Sequence, residues 1–133
     1  MSVKVEGRGA ELLMGKNFCN VATMRADGSV HGVPVWVDVQ DGQPVLNTAE
    51  GRAWPRNLER DPRITLTVAN MENPYEYLEV RGRVAERTRD GADEHIDSLA
   101  KKYMGVEEYP FRQPGEQRLI IRVDPEYVRV SGG

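Results

Sequence analysis

With one cysteine, two histidines and two phenylalanines in 133 residues, the chain is short of several kinds of chemistry. A single thiol, Cys19, forms no intramolecular disulfide and supports no cysteine-based metal cluster. It lies in the alternating run FCNVATM, where a lone thiol reads as a small core residue. Neither His31 nor His95 can be placed beside it, so a Cys-His nucleophile has no support. No set of His and Cys has metal-ligand spacing. No window approaches the roughly 18 apolar residues of a membrane span. The opening MSVKVEGRGAELLMGK has no apolar run long enough for a secretory signal, and the expected compartment is the cytoplasm. A net charge of −3 lacks the broad basic face that a nucleic acid requires. Repeats, linkers and low-complexity segments are missing too, apart from the Ser-Gly-Gly end, and one domain over residues 1–133 is expected.

Against this background, TAEGRAWPRNLERDPR, from Thr48 to Arg63, stands out. It holds four of the 18 basic residues, Arg52, Arg56, Arg60 and Arg63, against Glu50, Glu59 and Asp61. A local excess of positive charge on a weakly acidic chain points to a small anionic ligand. Pro55 is tolerated only in the first turn of a helix and Pro62 blocks continuation, which predicts a short helix starting close to 51–55. The first three arginines are four apart and fall near one face of it.

Elsewhere the pattern is mostly of period two. Helical turns at 9–16 precede a strand at 18–24, and Asp27-Gly28 predicts a hairpin turn. The next strand, VHGVPVWVDV, places Val33, Val35, Val37 and Val39 on one face and Pro34, Trp36 and Asp38 on the other. After a turn at QDGQ come strands at PVLNT, ITLTV and residues 77–86, with Gly82 a bulge or point of close approach. From Asp90, a plausible cap, Ala92, Ile96, Leu99 and Tyr103 recur at helical spacing up to a stop at Gly105. A last strand runs over 118–123, with Tyr127 to Val130 extending it past Asp124-Pro125. Strands without regular strand-helix alternation predict an antiparallel sheet or barrel with added helices.

The order of these pieces (the Asp-Gly hairpin, PVWV, GRAWPRNLERDPRITLTV, EVRGRVAE, HIDSLAKKYMG, YPFR and RLIIRV) resembles the F420-dependent, deazaflavin branch of the flavin-binding split β-barrel superfamily, the pyridoxamine-5'-phosphate-oxidase-like proteins. The resemblance covers residues 10–130, and GRxxxRNLxRDPR is its most specific piece. It implies a mainly β (α+β) fold: a six-stranded antiparallel split barrel of the FMN-binding type with two to three short helices. It also implies a homodimer with cofactor sites in clefts between the subunits.

By resemblance, Arg52, Arg56 and Asn57 match positions near the cofactor phosphate, and Pro34, Val35 and Trp36 match the strand along its ring. Read from the residues alone, the arginines equally suit a solvated face paired to Glu59 or Asp61, and Trp36 suits core or dimer-interface packing. Asn47 and Thr48 end the strand that enters the helix, where a hydroxyl would cap the helix or bind phosphate. Arg60 and Arg63 brace the turn after it. Trp54 departs from the family pattern, standing where many members have a phosphate-binding lysine; Trp54→Lys is expected to strengthen F420 binding if that place faces the phosphate, to weaken it if Trp54 stacks on a planar ligand, and to lower stability or favour monomer if Trp54 packs at the dimer interface. Lys101, Lys102 and Tyr103 could reach toward the mouth of the site but read rather as a solvated helix end, His95 reads as exposed on the same helix, and His31 has no evident partner.

The activity implied is an oxidoreductase that uses reduced coenzyme F420 as hydride donor to a conjugated or unsaturated small molecule, with no metal and no catalytic side chain assigned. FMN-dependent oxidase or reductase chemistry, and non-catalytic binding of a flavin, haem or tetrapyrrole, are the alternatives.

Overall fold

The computed structural model describes residues 3–132; Met1, Ser2 and Gly133, which fall within the expected domain bounds and the Ser-Gly-Gly end, lie outside the described residues. The elements run α1 (Gly7–Met14), β1 (Cys19–Met24), β2 (Val30–Val35), β3 (Val37–Gln40), β4 (Gln43–Ala49), α2 (Ala53–Arg60), β5 (Arg63–Asn70), β6 (Asn73–Thr88), α3 (Ala92–Met104) and β7 (Arg118–Ser131). No helix among the described residues is long and apolar enough to cross a membrane.

All strand pairs are antiparallel, in the order β2-β1-β5-β6-β7-β4-β3. The expected strand over VHGVPVWVDV is two strands, which turns an expected six into seven. The division falls at Trp36: Val35 is the last residue paired to β1 and Val37 the first paired to β4. Since β2 and β3 occupy opposite edges with one residue between them, the sheet must curl until its edges meet at Trp36. That closure makes the barrel.

Its interior is filled by alternate side chains of every strand. Val21, Leu46, Leu66, Val68, Leu78, Val80, Ile121 and Val123 are buried, and Val33, Val35 and Val39 pack against them with Val37, the face predicted for these valines. Leu12 and Leu13 of α1 and Leu58 of α2 join the same core. Cys19 is fully buried there, and burial pushes its thiol up to about 12, which suits packing and not nucleophilic attack.

The long strands β6 and β7 bend at two irregularities. Arg81 pairs with Tyr127 and Gly82 with Pro125, leaving Glu126 as the extra residue; Val84 pairs with Val123 and Glu86 with Arg122, leaving Ala85. The first bulge accommodates Pro125, which cannot donate to a ladder. A Cβ on Gly82 would lie 2.2 Å from the Asp124 carbonyl oxygen, so the expected close approach is real. Gly82→Ala must displace backbone and is expected to cost about 2–3 kcal/mol, a fall in Tm of roughly 8–12 °C. A change below 2 °C in a thermal melt would show that the bulge yields freely.

Gly105 caps α3 in the left-handed region at φ 73°, as expected, but Asp90 does not cap its start: the N-cap is Gly91, with no side-chain cap bond. Thr48 likewise caps nothing, because the N-cap of α2 is Arg52.

Candidate functional site

A cleft of about 210 Å³ opens where the barrel edges meet, and it gathers Pro34, Trp36, Asn47 and Arg52 of the expected residues. Tyr109 and Phe111, from the segment between α3 and β7, face it together with Ile96 and Arg118. In a chain with so few aromatics these rings form a continuous series. Phe18 stacks on Tyr103 at 6.0 Å and Tyr103 on Trp36 at 5.2 Å; Trp36 meets Tyr109 edge-on at 6.0 Å, and Tyr109 meets Phe111 at 5.8 Å. Trp36 is therefore neither plain core nor free surface. It is half-buried against Tyr103, with the Tyr109 edge beside it.

The polar side of the cleft is a buried network. Arg118 is 4% exposed; its Nε donates to Asn47 Oδ1 at 2.9 Å and its guanidinium pairs with Glu116 at 2.6 Å. Burial alone would raise the Glu116 carboxyl, but the hydrogen bonds from Arg118 and the Gln113 N–H outweigh it and hold the group below its usual range. The Arg118 guanidinium also lies 5.2 Å from the Tyr109 ring centre. With its oxygen committed to Arg118, Asn47 donates through Nδ2 to Ala92 O at 2.9 Å and to His95 Nδ1 at 3.0 Å. Asn47 is thus a fully engaged strut at the back of the cleft. The same bonds make His95 Nδ1 an acceptor and leave the ring proton on Nε2, buried and unpartnered among the described residues.

His95 is thereby corrected: it is 8% exposed rather than solvated, and burial lowers its basicity. Lys102 and Tyr103 are corrected as well. Lys102 Nζ donates to Leu13 O and Val37 O, both at 2.7 Å, while Tyr103 Oη donates to Asn17 O at 2.8 Å and accepts from Val37 N at 3.2 Å. Lys101 is solvated as expected.

Along α2, Trp54, Asn57 and Leu58 share the buried face and Arg52 and Arg56 the exposed one. Neither arginine pairs with the neighbouring acids, because those are taken. Asp61 binds Arg63, and its carboxyl falls to about 2 through that hydrogen bond. Glu50 and Glu59 both pair with Arg87 of β6, which also donates to Pro55 O at 2.9 Å. Among the described residues the Arg52 and Arg56 side chains make no hydrogen bond or ion pair, although the charge of Arg52 is felt at Glu116.

Trp54 is the clearest correction. At 3% exposure it belongs to the core, where it anchors α2, and it offers no surface to a ligand. Asn57 is also inward, donating to Thr23 Oγ1 at 3.1 Å. Thr48 is fully buried, with a hydroxyl that has no partner among the described residues. Val35 packs on the core, and its side chain turns from the cleft. Arg63 braces the turn through Asp61, as expected, whereas Arg60 donates to Met24 O at 2.8 Å and so ties the end of α2 to the end of β1 rather than to the turn. His31 does have a partner, Arg25, at 3.1 Å.

A larger cavity, about 310 Å³, lies elsewhere on the barrel over Met24, Val30 and Ile64. Its arginines are occupied, Arg63 by Asp61, Arg81 by Glu79 and Arg83 by Glu126. Free positive charge is found beside the aromatic cleft instead.

The residues that the sequence reading missed are Tyr109, Phe111 and Arg118. A loop carrying two aromatics around a proline, YPF, was the available signal; nothing in the sequence marks the burial of Arg118.

Residues 6–132 match the family model described as pyridoxamine 5'-phosphate oxidase. A solved structure named F420 reductase is similar over 94% of this chain and 98% of its own, with 26% identity and a TM-score of 0.81. A conserved hypothetical protein from Mycobacterium tuberculosis is similar over 97% of this chain and 86% of its own, at 21% identity and TM-score 0.73. HupZ of Group A Streptococcus covers 97% and 99%, at 17% and 0.69. No curated protein matches the sequence.

Proposed function

The chain belongs to the pyridoxamine 5'-phosphate oxidase family, and from that premise we propose that it is an oxidoreductase using reduced coenzyme F420 as hydride donor to a conjugated or unsaturated small molecule. The observation that carries the reading is Arg52, which makes no side-chain hydrogen bond or ion pair among the described residues and lines the cleft walled by Trp36, Tyr109 and Phe111, with Arg56 one turn further along α2. The likeness to an F420 reductase at 26% identity supports the choice of cofactor.

These residues suit a ligand that is planar and apolar at one end and anionic at the other. Two guanidiniums and the positive end of α2 favour a phosphodiester through charge-assisted bonds. Trp36 and Tyr109 supply area for a flat heterocycle, with Pro34 beside them. The cofactor, when bound, supplies the hydride; the protein holds the ring, excludes water from it and leaves a face for the substrate. Of the residues first expected to bind it, Arg52, Arg56, Trp36 and the main chain of Pro34 and Val35 are retained. Asn47, Thr48, Trp54 and Asn57 support from behind.

At about 210 Å³ the cleft is smaller than the roughly 300–1,000 Å³ usual for a ligand site. A homodimer in which a second copy completes the walls is part of this proposal, and light scattering should return twice the mass of the chain.

Titrating apoprotein with F420 and with FMN, followed by reoxidation of reduced F420 in the presence of quinones, enones, nitroaromatics and linear tetrapyrroles, tests the proposal. Binding of F420 with turnover of at least one class is expected. Retention of FMN with no affinity for F420 would replace it by the FMN reading. Arg52→Ala should weaken F420 binding roughly ten- to hundred-fold, the loss of a charge-assisted bond worth about 1.5–3 kcal/mol, while shifting stability by no more than about 0.5 kcal/mol. Unchanged affinity in both Arg52→Ala and Arg56→Ala would move the phosphate elsewhere.

A further inference from the structure

Trp36 is the residue between β2 and β3, and neither ladder holds it. Its neighbour Val37 opens an edge strand, and the main-chain groups of Val37 are gripped by the end of α3. The Val37 N–H donates to Tyr103 Oη at 3.2 Å, and Val37 O accepts from Lys102 Nζ at 2.7 Å. The same two side chains reach the end of α1: Lys102 donates to Leu13 O at 2.7 Å, a last-turn carbonyl without a helical partner, and Tyr103 donates to Asn17 O at 2.8 Å. The Tyr103 ring lies under Trp36 at 5.2 Å and 5°.

We infer that Lys102 and Tyr103 are positioning residues for the cleft, fixing the tilt of the Trp36 ring and through it the affinity for a planar ligand that neither of them touches. The identity of that ligand rests on the F420 reading above; the grip on Trp36 does not. The physical argument is one of constraint. A residue outside both ladders keeps several backbone conformations unless neighbouring groups remove them. Here one N–H and one carbonyl of the next residue, and one face of the ring itself, are all held from consecutive positions of a single helix. A lysine is a costly way to fill a half-buried place, and burial lowers its ammonium to about 8. What it provides is a pair of directed bonds that tie the end of α1 to the start of β3, which an apolar side chain of the same length lacks.

Two variants separate the parts of the grip. Tyr103→Phe keeps the stacked ring and removes the hydroxyl; Lys102→Met keeps the stem and removes the donors. The contribution of Trp36 to the near-ultraviolet circular dichroism is isolated by subtracting the Trp36→Phe spectrum, because Trp54 is the other tryptophan. Both variants are expected to melt cooperatively, to change the Trp36 band, and to bind F420 roughly five- to twentyfold more weakly. In a Trp36→Phe background the same substitutions should have little further effect on affinity, since coupled residues depart from additivity. Lys102→Arg, which keeps donors at this place, should recover part of the loss.

Equal losses with and without Trp36 would overturn the inference, as would an unchanged Trp36 band in both variants. If Tyr103→Phe fails to fold, Lys102→Met and Lys102→Arg decide by the same criteria. If the parent protein binds neither F420 nor FMN, the proposed function and the affinity half of this inference fall together, and the Trp36 band alone decides whether the grip exists.

Discussion

Trp54→Lys is expected to unfold the protein or to lower its stability by at least about 4 kcal/mol. Trp54 is 3% exposed within the main core. Truncating a buried tryptophan typically costs about 3–5 kcal/mol, and a lysine adds the burial of an ammonium with no partner of opposite charge provided for it. Against a total stability of about 5–15 kcal/mol for a domain, that loss takes a large share. Urea denaturation of the variant beside Trp54→Phe, which keeps an aromatic ring in the site, measures it. The lysine position suggested by resemblance would instead give a stable variant with stronger, more salt-sensitive F420 binding. That outcome would require α2 to turn about its axis and expose residue 54.

The second large effect is at Arg118. Arg118→Met should cost about 3–5 kcal/mol, because it leaves Glu116 charged and buried and deprives Asn47 Oδ1 of its donor. The side chains of this pair are 2% and 8% exposed while the pair is intact. Adding Glu116→Gln removes the stranded charge, and the double variant should recover more than half of the loss. The acid response gives a second readout. In the parent the Glu116 carboxyl is held below its usual range, so its stabilising contribution is complete above the unfolded value of about 4.3 and disappears as pH falls through the lower folded value. In Arg118→Met the carboxyl keeps its burial and loses its partner, so lowering the pH toward 4 should relieve the variant. A cost below about 1 kcal/mol would show the network to be dispensable.

Much of the barrel can be read from the sequence because its strands are amphipathic with period two and its turns carry Asp-Gly pairs. The break at Trp36 is not legible, because alternation runs through it undisturbed on both sides. Only closure of the whole sheet sends residues 30–35 and 37–40 to opposite edges. His95 is misleading for a local reason. Asp93 and Glu94 adjoin it in sequence, but neighbours along a helix point in different directions, and the residues that share its face are Ala92 and Leu99, both buried. The same rule puts Trp54, Asn57 and Leu58 on one side of α2, a signal present in the sequence and opposed by family resemblance. The free state of Arg52 and Arg56 depends on Arg87, far along the chain, taking Glu50 and Glu59. The Arg118 network spans a separation of 71 residues to Asn47 and has no local trace.

The strand order also governs how the chain reaches its native state. The hairpin of β3 and β4 finds its other neighbour only in β7, through pairings such as Ala49 with Arg118 and Val45 with Arg122. Until Arg118 and its successors leave the ribosome, β4 carries an unsatisfied edge and β6 lacks one of its two partners, so the first half of the barrel cannot close as it is made. Contacts of such long range make folding slow, because loop-closure entropy is spent before the contacts that repay it have formed. During that interval the exposed strand edges are open to pairing with other chains. Synthesis rate and temperature should therefore influence the yield of folded protein more than the stability of the finished barrel would indicate.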